Sequence, residues 1–172
     1  MVGTMAPTVD QQAKAIAARV RALTTAAIPP EVVHDRRRLI LTEQGWVLLG
    51  WDPARRRIHY WEVEHTATAE EEIPARELFL ARRTFIVRGA YGFSEGHDNV
   101  INSTAEWRGI VDGVMDGLRA DQSVFNLPSN PPQNTPRGIN LRSNAIALLQ
   151  DLGLAHLTEM EMVLEATAEI GA

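Results

Sequence analysis

Residues 83–121, RTFIVRGAYGFSEGHDNVINSTAEWRGIVDGVMDGLRAD, constrain the fold more than any other stretch of the chain. The run at 82–91 alternates, with Phe85, Val87 and Gly89 on one side and Ile86, Arg88 and Ala90 on the other, which predicts a strand. Glycine, asparagine and aspartate then crowd residues 92–100 and predict a turn. Ser103 or Thr104 is the expected cap, Ser103 and Glu106 having the spacing of a capping box, and Trp107, Ile110, Val111, Val114, Met115 and Leu118 recur at the helical period behind it. A strand that runs into an amphipathic helix buries the helix stripe against its own sheet, so the rest of the chain has to supply the neighbouring strands. Gly109, Gly113 and Gly117 stand four apart and predict a flat groove where the helix lies close to the sheet. Each costs about 1 kcal/mol against alanine in a helix interior, a cost that packing or function has to offset.

The remaining elements are read around that pair. Thr8 and Gln11 form another capping box, and Ala13, Ile16, Ala17, Val20, Leu23 and Ala27 continue at helical spacing until Pro29-Pro30 stops the helix near Ala26. Residues 31–41 read as two short strands broken by Arg36, Arg37 and Arg38. An apolar patch at 46–51 leads to the turn signal Asp52-Pro53. Residues 58–66 alternate as a strand, with Ile58, Tyr60 and Glu62 opposite His59, Trp61 and Val63, and residues 46–49 are placed as its hairpin partner. The Ala-, Thr- and Glu-rich segment at 66–80 reads as a surface loop with a helical turn at 75–80. Four of the nine prolines fall within 125–143, so this segment reads as an excursion between elements. Residues 144–151 fit strand or helix. At 157–167 the residue types favour helix, while the period-2 placing of Met160, Met162 and Leu164 favours strand; strand is the expectation.

A chain of 172 residues is expected to form a single domain over 1–172, with residues 1–7 loose. No apolar run reaches the roughly 18 residues of a membrane span, and the first residues lack the basic-then-apolar order of a signal peptide. Cysteine is absent, which removes disulfides and thiolate ligands. The net charge of −5 argues against a general nucleic-acid binder.

Candidate chemistry is thin. His34-Asp35 beside three arginines offers an acid–base pair, a phosphate clamp or a contact for an acidic partner; the plainer reading is a polar strand end. Glu62 and Glu64 share a strand face near His65, enough for a divalent metal in principle, but a charged outer sheet face explains them more simply. Ser94, His97 and Asp98 hold the letters of a triad within one turn, where local backbone satisfaction is the better account. The glycines of 89–96 follow neither phosphate-loop spacing. Trp46, Trp51, Trp61 and Trp107 are expected mainly in the core, with an interface role open to some.

The order of features resembles the tail terminators, the neck and tail-completion family of long-tailed phages and gene transfer agents. The resemblance rests on the strand Thr84-Phe85-Ile86-Val87-Arg88-Gly89, on the capped helix at 103–118 with Trp107, Ile110, Val111 and Asp112, on the proline-rich excursion at 127–136, and on His156-Leu157-Thr158-Glu159. It implies an α+β fold, with two long helices on one face of a mainly antiparallel sheet and long surface loops. It also implies a structural virion protein, not an enzyme, without cofactor or metal. Such a protein forms a hexameric ring on the tail tube, ends tube polymerisation and joins the tail to a head-completion or stopper protein, while DNA passes the lumen without specific binding. Its place is the tail or neck of the virion, assembled in the host cytoplasm. A connector or stopper of the same neck is the alternative, and a small enzyme or ligand-binding domain around His34, Glu62, Glu64 and His65 is the reading from another class. The interface candidates are Asp52, Arg55, Arg56 and Arg57 in one turn, Glu70, Glu71 and Glu72 in the next polar segment, and Asn130, Gln133 and Arg137 in the proline-rich excursion.

Overall fold

The first helix forms where its cap lies. In the computed structural model, which describes residues 8–24, 30, 32–36, 40–42, 45–47, 51–52, 57–73, 78–93, 97–120, 135–149 and 153–169, α1 spans Val9–Thr24. The Gln11 N–H donates to Thr8 Oγ1 at 3.2 Å and the Thr8 N–H donates to Gln11 Oε1 at 2.8 Å, which satisfies two orphan helix donors reciprocally. Ala13, Ile16, Ala17 and Val20 are buried along one stripe. The exposed Lys14 pairs with Asp10 one turn earlier at 2.6 Å.

The strands are β1 (Val32–His34), β2 (Ile40–Thr42), β3 (Gly45–Val47), β4 (Trp51–Asp52), β5 (Arg57–Ile73), β6 (Leu78–Phe93), β7 (Thr135–Leu149) and β8 (Gly153–Glu169); α2 (His97–Ala120) lies between β6 and β7. The main sheet is open and runs β1-β5-β6-β8-β7, with β4 pairing β5 off that path. β1 is parallel to β5, and every other pair is antiparallel. The architecture is α+β, as expected, with β6 in the middle. Residues 157–167 are strand, within β8. There period 2 outweighs helix propensity, because the alternation puts Met160, Met162 and Leu164 into one buried face.

That face meets the helices. Trp61, Val63, Phe85, Val87, Tyr91, Ile139, Met160, Met162 and Leu164 pack with Ile16 and Val20 of α1 and with Trp107, Val111, Val114 and Leu118 of α2. Its centre is aromatic: Tyr91 stacks on Trp107 with ring centroids 5.4 Å apart and planes within 3°, and Trp61 lies 5.3 Å from Trp107. Gly89 makes this possible. A Cβ there would stand 2.8 Å from atoms of both indoles.

Several expectations change. Residues 66–73 are not a loop but the second half of β5, held by the ladder to β6, and residues 78–80 belong to β6 and not to a helical turn. Trp46 pairs with Leu41 in a separate two-stranded sheet and not with β5, which takes β4 and β1 on that side. α2 starts at His97, six residues before its expected cap, so Ser103 sits inside the helix. Residues 135–143 are strand and not excursion, and residues 144–149 continue that strand. The glycine groove is also revised. Nothing lies within 4 Å of a Cβ built at Gly109 or Gly113, and Gly117 sits against the Leu23 side chain of α1, not against the sheet. Residues 1–7, 94–96 and 125–134 lie outside the described residues.

Candidate functional site

The face of the sheet opposite the helices carries a network of charge. Register creates it: Glu62, Arg88 and Glu159 stand directly opposite one another on β5, β6 and β8. Arg88 Nε donates to Glu159 at 2.8 Å and its Nη1 donates to Glu64 at 2.6 Å, with a Glu62 oxygen 3.7 Å away. Glu62 is fully buried, and the Tyr60 hydroxyl donates to it at 2.6 Å. Burial lowers the affinity of Arg88 for its proton, but the hydrogen bonds and charges of Glu64 and Glu159 outweigh that and hold its pKa above the ordinary arginine range. Arg142 of β7 extends the row, 3.1 Å from Glu161 and 3.8 Å from Glu159. Further along, Arg82 bonds Glu165 at 2.8 Å and lies 3.7 Å from Glu71.

This arrangement spends the carboxylates that the metal reading needs. Glu62 and Glu64 face Arg88, while His65 lies on the other side of β5, against Phe85, with its Nε2 2.8 Å from the Thr68 hydroxyl. His34 pairs in register with Glu62 but sets its ring against Tyr60, 5.5 Å between centroids. The four side chains do not converge. Among the described residues no group of three or more histidines, aspartates or glutamates is placed to hold a metal ion.

Two other features have partial chemistry. The first joins residues far apart in sequence: the Ser103 hydroxyl of α2 lies 2.8 Å from His156 Nε2 of β8. Burial, with a smaller contribution from the Arg108 charge, pushes the His156 pKa below 6.5, so the ring is neutral near pH 7. A hydroxyl on a neutral imidazole is half of a nucleophile–base pair. Ser103 is 4% exposed and His156 5%, which closes both to a substrate and leaves a satisfied polar tie between helix and sheet. Sequence reasoning missed this contact, because it assigned Ser103 to a cap. The second is a cavity of about 250 Å³ between α1 and β1, lined by Lys14, Ala17, Ala18, Arg21, Val33, His34 and Asp35. Its polar groups are engaged: Lys14 with Asp10, Arg21 with the Val33 carbonyl at 3.0 Å, and Asp35 with Arg36 at 3.3 Å. It falls short of the roughly 300 Å³ at which ligand pockets begin.

The interface candidates among the described residues fall on strands. Asp52 and Arg57 are opposite each other in the β4–β5 pair, and Arg137 falls at a register shift of β7, so none of the three is a loop residue as expected. Glu70, Glu71 and Glu72 are exposed on β5. Arg55, Arg56, Asn130 and Gln133, and the basic cluster at 37–38, lie outside the described residues, as does Ser94. His97 and Asp98 fall in the first turn of α2 and not in a turn before it. No helix among the described residues is long and apolar enough to cross a membrane.

No known family model matches the chain, and no curated protein matches it.

Proposed function

We propose that this chain is a tail terminator: a structural subunit that forms a ring on the end of a phage tail tube, stops its growth and offers its other face to a head-completion protein. The observation that carries the reading is the environment of the β6–α2 pair, the stretch on which the sequence resemblance rests. β6 is the middle strand of an open, mainly antiparallel sheet, with α1 and α2 on one face. The second support is chemical. The acidic side chains that an active site would use, Glu62, Glu64 and Glu159, are drawn onto Arg88. The exposed strand residues Glu70, Glu71 and Glu72 and the polar part of β7 are among the surfaces left for contacts.

In this reading the work is geometric and needs no cofactor. One rim of a ring docks on the last tube layer, and the other rim lacks the surface that a further tube subunit requires. The acidic balance of the chain suits a lumen through which DNA slides without being held. The test is electron microscopy of purified protein alone and mixed with tube protein of the same virion. Rings of six subunits that sit at tube ends and limit tube length are the expected outcome. Binding to a portal or adaptor ring, with none to tube ends, replaces the reading by a head-side connector. A monomer that ignores tube protein at high concentration overturns it.

A further inference from the structure

Two buried histidines share one row of the sheet. His59 of β5 stands opposite Tyr91 of β6, and Tyr91 stands opposite His156 of β8. His59 is fully buried and His156 nearly so. The row lies beneath the first half of α2, which meets it side chain by side chain. The Ser103 hydroxyl lies 2.8 Å from His156 Nε2, the Trp107 ring stacks on Tyr91, and Glu106 accepts a hydrogen bond from the Tyr91 hydroxyl at 2.6 Å. His59 is T-shaped to both Tyr91 and Trp107, with centroids 5.4 and 6.1 Å away. The Trp61 indole N–H donates to His59 Nε2 at 2.9 Å, so that nitrogen carries no proton.

The two halves of α2 are held by different chemistry. Beyond Trp107 the buried contacts are apolar, through Val111, Val114 and Leu118, and Gly117 lies against Leu23 of α1. Polar ties in that half run from Arg119 to the Ile139 carbonyl at 2.9 Å and from Arg19 to the Gly117 carbonyl at 3.5 Å. A guanidinium keeps its charge at any ordinary pH. In the first half the ties run through imidazoles, whose charge changes between about pH 5 and about pH 8. A proton on His59 Nε2 turns an acceptor into a donor that faces an indole N–H, and that bond is lost. A proton on His156 places a cation where burial and the Arg108 charge both oppose it. Of the described residues, α2 brings Glu106 and Arg108 to the row, one of each sign. Tyr91 comes from β6, uncharged Ile146 of β7 stands opposite His156, and the buried positions of α1 carry no charge.

We propose that the row His59–Tyr91–His156 is an acid-released latch: protons on its two imidazoles free the first half of α2 from the sheet, while the second half and the strand ladders stay in place. The sign follows from which form takes the proton first. With the helix lifted, both rings are solvated and bind a proton with ordinary affinity, near pH 6.5. With the helix docked, His156 binds it only at lower pH, and a proton on His59 removes the Trp61 bond. Docking is therefore at full strength above pH 6.5 and weakens as pH falls. The Arg88 network on the opposite face contains no histidine and goes on holding β5, β6 and β8 together. Opening uncovers the Tyr91–Trp107 stack, an aromatic surface that is shut at neutral pH. The latch is independent of the ring reading.

Hydrogen exchange of the full chain, corrected for the pH dependence of free amides, reads the latch. Between about pH 7.5 and about pH 5, protection of residues 101–108 falls by about tenfold or more, while that of residues 110–120 and of β8 changes by less than about threefold. Unchanged protection of 101–108, or an equal fall across all of α2 and β8, overturns the inference. The variant His59→Gln/His156→Gln abolishes the response, because glutamine offers a neutral acceptor in place of each Nε2 and takes up no proton. Glu106→Gln leaves the response intact. A response that survives the double histidine variant, or that disappears in Glu106→Gln, overturns the inference. Should the double variant not fold, the ring resonances of the wild type supply the answer: His59 and His156 titrate together with the opening of 101–108, and an opening whose midpoint matches neither ring overturns the latch.

Discussion

β5 is one strand with two lives. From His59 to Val63 it is fully or almost fully buried, and from Thr66 to Glu72 it is exposed throughout, although both halves ladder onto β6. On the helix face the difference is length, while Tyr60 and Glu62 are buried on the other face without the helices. A strand of 17 residues reaches about 56 Å, whereas the 16-residue α1 covers about 24 Å and the 24-residue α2 about 36 Å. The helices cannot cover the whole strand. The covered half carries aromatic and β-branched residues; the uncovered half reads TATAEEE, small and charged. Backbone pairing alone is thus enough to hold a strand once its neighbour is anchored, while side-chain burial decides which half carries the stability.

The comparison breaks if the wrong half proves sensitive. Trp61→Ala removes a fully buried ring from the covered half and lowers unfolding free energy by about 3–5 kcal/mol in denaturant titration. Next comes Arg88→Met, which strands the Glu62 carboxylate on the opposite face. The loss is about 3 kcal/mol, the lower end for a broken buried pair, because the arginine side chain keeps 19% of its exposure. Gly109→Ala and Gly113→Ala act in the reverse direction: open space at both Cβ positions leaves only the helix-propensity gain, about 1 kcal/mol each, read as a raised melting temperature. His156 gives a pH effect. Its folded pKa lies below the unfolded 6.5, so as pH falls below 6.5 the unfolded state takes up the proton first and stability declines until the folded pKa is passed. His156→Gln flattens that part of the stability profile between pH 7 and 5. Smallest is Thr68→Ala in the exposed half, within about 0.5 kcal/mol of the parent. A larger loss there means that something else buries this half.

What could be read beforehand follows the same division. α1 was legible from Thr8 and Gln11, since a capping box is local chemistry. β8 was legible from Met160, Met162 and Leu164, since its alternation is written by burial. The exposed half of β5 was not, because Thr66 to Glu72 have neither strand propensity nor a buried face, and only the register with β6 makes them strand. Likewise His97, Asp98 and Asn99 read as turn residues and are helical. The Arg88 network depends on three strands coming into line, and the Ser103–His156 contact spans 53 residues; neither leaves a local mark. That Glu62 and Glu64 share one sheet face was legible; that this face is buried at Glu62 and not an outer one was not. That Arg88 gathers them was not.

The aromatic centre gives the molecule a built-in optical reporter. Tyr91 lies flat on Trp107 at 5.4 Å and Trp61 is 5.3 Å from the same indole, so excitation absorbed by the tyrosine passes to tryptophan and the transitions of the two indoles couple. Near-ultraviolet circular dichroism carries that coupling only while the core is intact. Unfolding uncouples the rings and returns tyrosine emission, a signal of the covered half alone, against which events at the distant strand edges can be followed without attaching a dye.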